Sequence, residues 1–254
     1  MVFLERLFEN YFREYIKSNA VRGRENIEAE YLSALDVWKA APNAALSGRS
    51  PLEYLGGLYA SNGLAGYIDG VCKTGAKVGD VTSEFVDGIE PESARAEMLR
   101  GLFLTGCERA RLFAVEKLAS AAADGTTEFI LDIIIAAEKY SAPVVDAAFN
   151  ALKDGRQGLD CLIFKKTDGL QALRDGEAKD MLLDILSGYP TDAATLGLIT
   201  QGFLSGENTV FYAGLLGRCG NVGSVGVLKE YLASKEPTRE EYLEIRSAIE
   251  RIGE

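Results

Sequence analysis

The sequence predicts an all-α protein, and three observations carry that prediction. Apolar residues recur at spacings of three and four along most of the chain, and no stretch alternates with period two. Four prolines, Pro91, Pro143, Pro190 and Pro237, each stand between two amphipathic stretches. Each second stretch closes on a glycine, Gly106, Gly155, Gly206 or Gly253, at intervals of 49, 51 and 47 residues. About eleven to thirteen helices and no sheet are expected.

Residues 2–19 form the first expected helix, with Phe3, Leu4, Leu7, Phe8, Tyr11, Phe12, Tyr15 and Ile16 on a broad apolar band. Arg22-Gly23-Arg24 breaks it, and a second helix runs from about Glu25 to Ala40, ended by Pro42. Ile27, Tyr31, Leu35 and Trp38 mark its apolar stripe. The connection that follows is locally specified. Gly48 suits a turn with positive φ. Ser50, Pro51 and Glu53 have the N-cap, N1 and N3 pattern of a capping box. Leu46 is expected to turn back toward Trp38, with Tyr54 beside the loop; the connection is read mainly as a brace between helices. Residues 56–79 carry seven glycines and read as short, closely packed helices. No strand precedes those glycines, so they make no phosphate loop.

From about Val78 the chain repeats. The stretches 80–106, 128–155, 179–206 and 225–253 each read helix, proline break, helix, glycine. Further apolar segments lie between them, at Ala110 to Ala122, Gly158 to Phe164 and Thr209 to Arg218, so the unit has three helices. Arg156 to Asp175 is the weakest part, with a break expected at Asp168-Gly169. At the C-terminal end, helices from about Val225 to Ser234 and Arg239 to Ile252 flank Pro237, with Thr238 and Glu241 as a second capping box.

This period and break pattern resembles the HEAT/armadillo class of α-solenoids, in particular short bacterial HEAT-like domains. The segment TVFYAGLLGRCGNVGSVGVLKEYL, residues 209–232, matches best. The resemblance implies a right-handed α-α superhelix over residues 78–254, with residues 1–77 as a helical cap continuous with it. It also implies that stacked units cover apolar surface no helix pair covers alone.

The 254-residue chain has a formal net charge of -11. Residues 1–77 hold nine basic and nine acidic side chains, so the whole excess falls in the repeats. No basic stripe of the kind nucleic acid requires is visible, and the balance disfavours anionic membranes. The uncharged stretch from Ala193 to Gly206 is too short to span a bilayer. Cys72, Cys107, Cys161 and Cys219 are scattered, without metal-ligand spacing, which reads as a reduced, cytoplasmic protein. The N-terminal residues lack the order of a signal peptide.

The chain has no histidine. That removes Ser-His-Asp and Cys-His chemistry and every His-containing metal motif. No catalytic residue, metal or cofactor is expected. The acid pair Asp180 and Asp184 reads as decoration of a solvated face. Arg218, alone in an uncharged stretch, reads as a salt-bridge or helix-end residue.

Two function classes follow. The first is a non-catalytic scaffold for a basic protein or peptide, with an acidic groove lined by the last helices of successive repeats. Its lining residues would be Glu97, Arg100, Asp146, Asn150, Thr195, Gln201, Glu244 and Arg246. A purely structural oligomerisation module is a variant of it. The second is an enzyme or accessory protein, because some helical-repeat proteins of this resemblance are DNA glycosylases or chromophore lyases.

Overall fold

A computed structural model describes residues 2–19, 24–153, 156–170, 173, 176–190 and 192–253. Among them are fifteen α-helices, two short 3-10 turns and no strand. The helices are α1 Leu4–Ser18, α2 Arg24–Ala40, α3 Pro51–Ala60, α4 Leu64–Lys73, α5 Asp80–Asp87, α6 Glu92–Thr105, α7 Glu108–Ala119 and α8 Thr126–Ile135. Then come α9 Ala142–Lys153, α10 Leu159–Thr167, α11 Glu177–Leu186, α12 Ala193–Ser205, α13 Thr209–Cys219, α14 Val222–Ser234 and α15 Arg239–Gly253. The all-α prediction holds, and the helix number was underestimated. One of the extra breaks falls where a short polar turn divides the glycine-rich stretch, at Ser61-Asn62-Gly63 between α3 and α4.

All four prolines lie between helices or in a first helical turn: Pro91 caps α6, Pro143 is the second residue of α9, and Pro190 and Pro237 precede α12 and α15. Counted from α5, the helices follow in chain order as α5-α6-α7, α8-α9-α10 and α11-α12-α13 and then the pair α14-α15, one helix out of step with the expected unit, whose first helices would be α7, α10 and α13. The weak stretch after Arg156 does break at Asp168-Gly169, where both residues take positive φ. The expected break at Arg22-Gly23, the closing glycine Gly155 and the end of the weak stretch at Asp175 lie outside the described residues.

The chain forms two compact units, Met1–Thr126 and Thr127–Glu254. In the first, α1 pairs with α2, α3 packs on α2, α4 and α5, and α4 lies against the hairpin of α6 and α7. Tyr67, Ile68, Leu99, Leu102, Phe103 and Leu118 are its large buried side chains, each contributing about 1.5–3 kcal/mol of burial. In the second, α11 packs on α9 and α12, the hairpin α12-α13 follows, and α15 packs on α13 and α14. Its core includes Leu182, Leu183, Ile199, Phe203, Leu216 and Ile245.

Charged side chains bind the helices in a recurring way. Asp87 of α5 pairs with Lys117 of α7; Asp132 of α8 pairs with Lys166 of α10 at 2.6 Å; Asp184 of α11 pairs with Arg218 of α13. In each three-helix unit, an acid on the first helix meets a cation in the last turn of the third, where a helix end favours positive charge. This corrects the reading of Asp180 and Asp184 as solvated decoration. Spacing of four puts both on one face, and that face meets α13, where Tyr212 donates to Asp180.

Small residues set the closest approach. A Cβ on Gly217 of α13 would sit 2.9 Å from the Cα of Ala248 in α15. Helix α14 starts at Val222 rather than near Val225, because Asn221 accepts from Gly223 N and Ser224 N and its own N–H reaches Ser224 Oγ.

Candidate functional site

A cleft of about 730 Å³ lies in the first unit, between α5 and α7. Asp80, Ser83 and Asp87 are spaced to share one face of α5, and they form one wall. Arg109, Leu112, Phe113, Glu116 and Lys117 of α7 form the other. Buried Cys72 and Val78, with half-buried Leu112 and Phe113, supply apolar surface. Three of the cations here already donate within the chain. Lys117 pairs with Asp87, Arg109 donates to the Gly75 carbonyl, and Arg95 donates to the Asp87 carbonyl at 2.7 Å and to Glu92 at 2.6 Å. Burial pushes the Cys72 thiol up to about 11, so it stays protonated near neutrality and is a poor nucleophile.

A second cleft, of about 340 Å³, shares Lys77, Val78 and Asp80 with the first. Its walls are aromatic: Phe8 and Phe12 from α1, Tyr31 and Trp38 from α2. The Phe8 and Phe12 rings both meet Tyr31 edge-on at 5.2 Å between centroids, and Phe8 lies 5.1 Å from Trp38. Three carboxylates, Glu5, Glu9 and Asp80, line it against one cation, Lys77. Tyr31 donates to Asp80 at 2.8 Å; burial first, then this bond to a carboxylate, raises the phenol to about 12. Trp38 is 3% exposed, and its buried Nε1–H has no hydrogen-bond partner among the described residues.

The positions of these elements follow from local chemistry. Helix α5 has glycine as its N-cap, so it cannot cap itself, and Glu5 does so from α1. Glu5 accepts from Gly79 N at 3.1 Å and from Thr82 Oγ1 at 3.3 Å. Its other oxygen accepts from the Tyr67 hydroxyl at 3.0 Å, and that hydroxyl accepts from Leu4 N at 2.9 Å. On the far side, Asp69 of α4 accepts from Cys107 N at 2.7 Å and so caps α7. Both walls of the larger cleft are therefore pinned by carboxylates from other helices.

The expected groove residues are distributed differently. Glu97 is exposed on α6, and Arg100 on the same helix donates to the Asp124 carbonyl and to Thr126 Oγ1. Asp146 and Asn150 are exposed on α9, and Gln201 on α12. Thr195 is 1% exposed in the first turn of α12, beside its cap Asp192, and presents nothing to a groove. Glu244 pairs with Arg251 on its own helix, and Arg246 with Glu250. Helix α15 takes α13 and α14 as its main neighbours, not α12, the helix that carries Thr195 and Gln201. These residues do not gather into one site within the second unit. The groove described there, about 430 Å³, is lined by small residues of α12 and the start of α14, including Gly197, Thr200, Gly223 and Ser224.

The loop residues make the capping box that their spacing predicts. Glu53 accepts from Ser50 N at 2.8 Å and Ser50 Oγ from Glu53 N at 3.2 Å, with Pro51 at N1. Gly48 has φ of +80°. Leu46 is buried, and Arg49 lies over the Tyr54 ring at 5.3 Å. Trp38, read from sequence only as packing, also lines the smaller cleft. Sequence reasoning missed Phe8, Glu9, Phe12 and Tyr31 as cleft residues. For the α1 residues the signal was the helix's aromatic band, which is wider than one neighbouring helix covers.

Among the described residues, no group of three or more His, Cys, Asp or Glu side chains is placed to hold a metal ion. No helix among them is long and apolar enough to cross a membrane. Comparisons with protein families, curated proteins and solved structures return no match.

Proposed function

We propose that the chain is a non-catalytic binding scaffold whose partner is a basic protein or peptide segment, seated in the cleft between α5 and α7. The observation that supports it is the cleft's make-up: apolar surface at its base and charged rims, the anatomy of an interface. Three of its cations already donate to groups of the chain, and the net charge of -11 steers positive partners toward the protein. The recurring three-helix units fit the wider reading of a HEAT/armadillo-like superhelix over residues 78–254, capped by 1–77. Catalysis is the weaker reading, because the chain has no histidine and its cleft thiol is held protonated.

The test uses a labelled amphipathic peptide of alternating lysine and leucine, titrated by fluorescence anisotropy across a salt series. Binding should weaken as salt rises. Leu112→Asp, which places a charge in the apolar part of the cleft, should weaken it about tenfold, a loss of one buried apolar contact plus a desolvation cost. Equal affinity of Leu112→Asp and the parent protein, with both folded, would remove the cleft from the reading.

A further inference from the structure

Two of the four cysteines, distant in sequence, are brought together by the packing of α4 on α7. Cys72 lies in the last turn of α4, is 4% exposed and lines the larger cleft. Cys107 is the N-cap of α7 and is half-buried. Two hydrogen bonds hold the chain together on either side of this pair. Asp69, three residues before Cys72 and so on the same face of α4, accepts from Cys107 N at 2.7 Å. Gly75, three residues after Cys72, gives its carbonyl to Arg109, two residues after Cys107. The Cys107 thiol lies against the Asp69 carboxylate as well. Burial first, and then the neighbouring Cys107 sulfur, raises the Cys72 thiol to about 11. Both thiols are free.

We propose that Cys72 and Cys107 are a redox pair, closing reversibly into a disulfide by exchange with a low-molecular-weight disulfide and so tying α4 to the first turn of α7. Cys107, the more accessible of the two, gives up its proton to solvent and attacks one sulfur of the small disulfide. A mixed disulfide forms on Cys107 and one small thiolate leaves. Cys72 then loses its proton and attacks the Cys107 sulfur; the Cys72–Cys107 bond forms and the second small thiolate leaves. Each departing thiolate takes up a proton. Two protein thiols are oxidised, and one small disulfide is reduced to two thiols. The pair stands on the contacts of α4 with α7, and peptide binding between α5 and α7 has no part in it.

The test uses the full chain with Cys161→Ser and Cys219→Ser, equilibrated with graded ratios of oxidised to reduced glutathione and read by intact mass and peptide mapping. The folded protein should lose two hydrogens, carry no glutathione, and yield the Cys72 and Cys107 peptides joined; dithiothreitol should restore both thiols. A bridge that suits the fold closes more readily in it than in the unfolded chain, so closure in urea should need a ratio about tenfold or more higher. Cys72→Ala should stop at glutathione on Cys107. Cys107→Ser, which keeps a hydroxyl at the N-cap, should leave the buried Cys72 thiol unmodified. Four results would each overturn the proposal: no oxidation of either cysteine, glutathione retained on Cys107 with Cys72 still free, a bridge joining two copies of the chain, or closure at the same ratio in folded and unfolded protein.

Discussion

Asp184 of α11 is ion-paired with Arg218 of α13, and the relation recurs one unit earlier as Asp132 with Lys166 and two units earlier as Asp87 with Lys117. Each pair joins the first helix of a unit to the last turn of its third. The cation thus neutralises an acid and also the negative end of its own helix. Each pair thus ties the first of three successive helices to the last.

The Asp184–Arg218 pair should therefore be coupled energetically. A double-mutant cycle with Asp184→Asn and Arg218→Gln, read by urea unfolding, is expected to give about 0.2–1 kcal/mol of coupling, as the Arg218 side chain is 43% exposed and screened. The i,i+3 pair of Glu14 and Lys17, with both side chains well exposed, is the comparison and should show no measurable coupling. Equal coupling in the two cycles would strip the recurring pairs of any structural role.

Two glycines of the second unit should respond in opposite directions to alanine. At Gly217 the new Cβ would stand 2.9 Å from Ala248 Cα and 2.9 Å from Arg251 Cζ, so α13 and α15 must separate. Overpacking of that kind costs about 1–3 kcal/mol. At Gly226, inside α14, a Cβ meets nothing within 4 Å, and replacing glycine in a helix interior gains about 0.5–1 kcal/mol. Thermal unfolding of both variants decides; a stable Gly217→Ala protein would mean the helices are less closely apposed.

Much of this architecture is legible in the sequence, and the limits have physical causes. Ser50, Glu53, Thr238 and Glu241 were readable because a capping box is a local structure whose partners lie three residues apart. The break at Asp168-Gly169 was readable for the same reason. The caps of α5 and α7 were not, because Glu5 and Asp69 reach them across 74 and 38 residues of chain. Asp184 looked like surface decoration because the identity of the helix it faces is a tertiary fact. Glu97 and Glu244 could be placed on helices but not on a common face, since the layer order of packed helices is not encoded in period alone. The smaller cleft was invisible for a related reason: Phe12 and Tyr31 each look like ordinary core positions until α5 comes to lie beside them.

Tyr67 should be worth more than its ring. It is fully buried, and its hydroxyl accepts from Leu4 N while donating to Glu5, the residue that caps α5. Tyr67→Phe keeps the packing and leaves the Leu4 N–H and one Glu5 oxygen without this partner. The expected loss is about 1–3 kcal/mol, the desolvation cost of buried polar groups left unpaired. Urea unfolding measures it, and hydrogen exchange at the start of α1 and α5 should quicken. An unchanged midpoint would show that water replaces the hydroxyl at no cost.

The last expectation concerns acid. Burial alone would raise the Asp69 carboxyl, but the Lys73 ammonium at 2.5 Å and the Cys107 N–H at 2.7 Å outweigh it and hold the group below its ordinary value of 3.8. A carboxylate whose folded value is depressed contributes stability that is fully present above the unfolded value. That contribution fades as pH falls from about 3.8 through the lower folded value. Asp69→Asn keeps an acceptor for the Cys107 N–H and loses the charge, so it should be less stable than the parent near neutrality. The gap should narrow as the parent's carboxyl takes up its proton. Urea midpoints for both proteins at a series of pH values from about 6 to 2.5 test this. Parallel curves over that range would mean that the Asp69 charge adds nothing to folding, and that α7 is held by the neutral hydrogen bond alone.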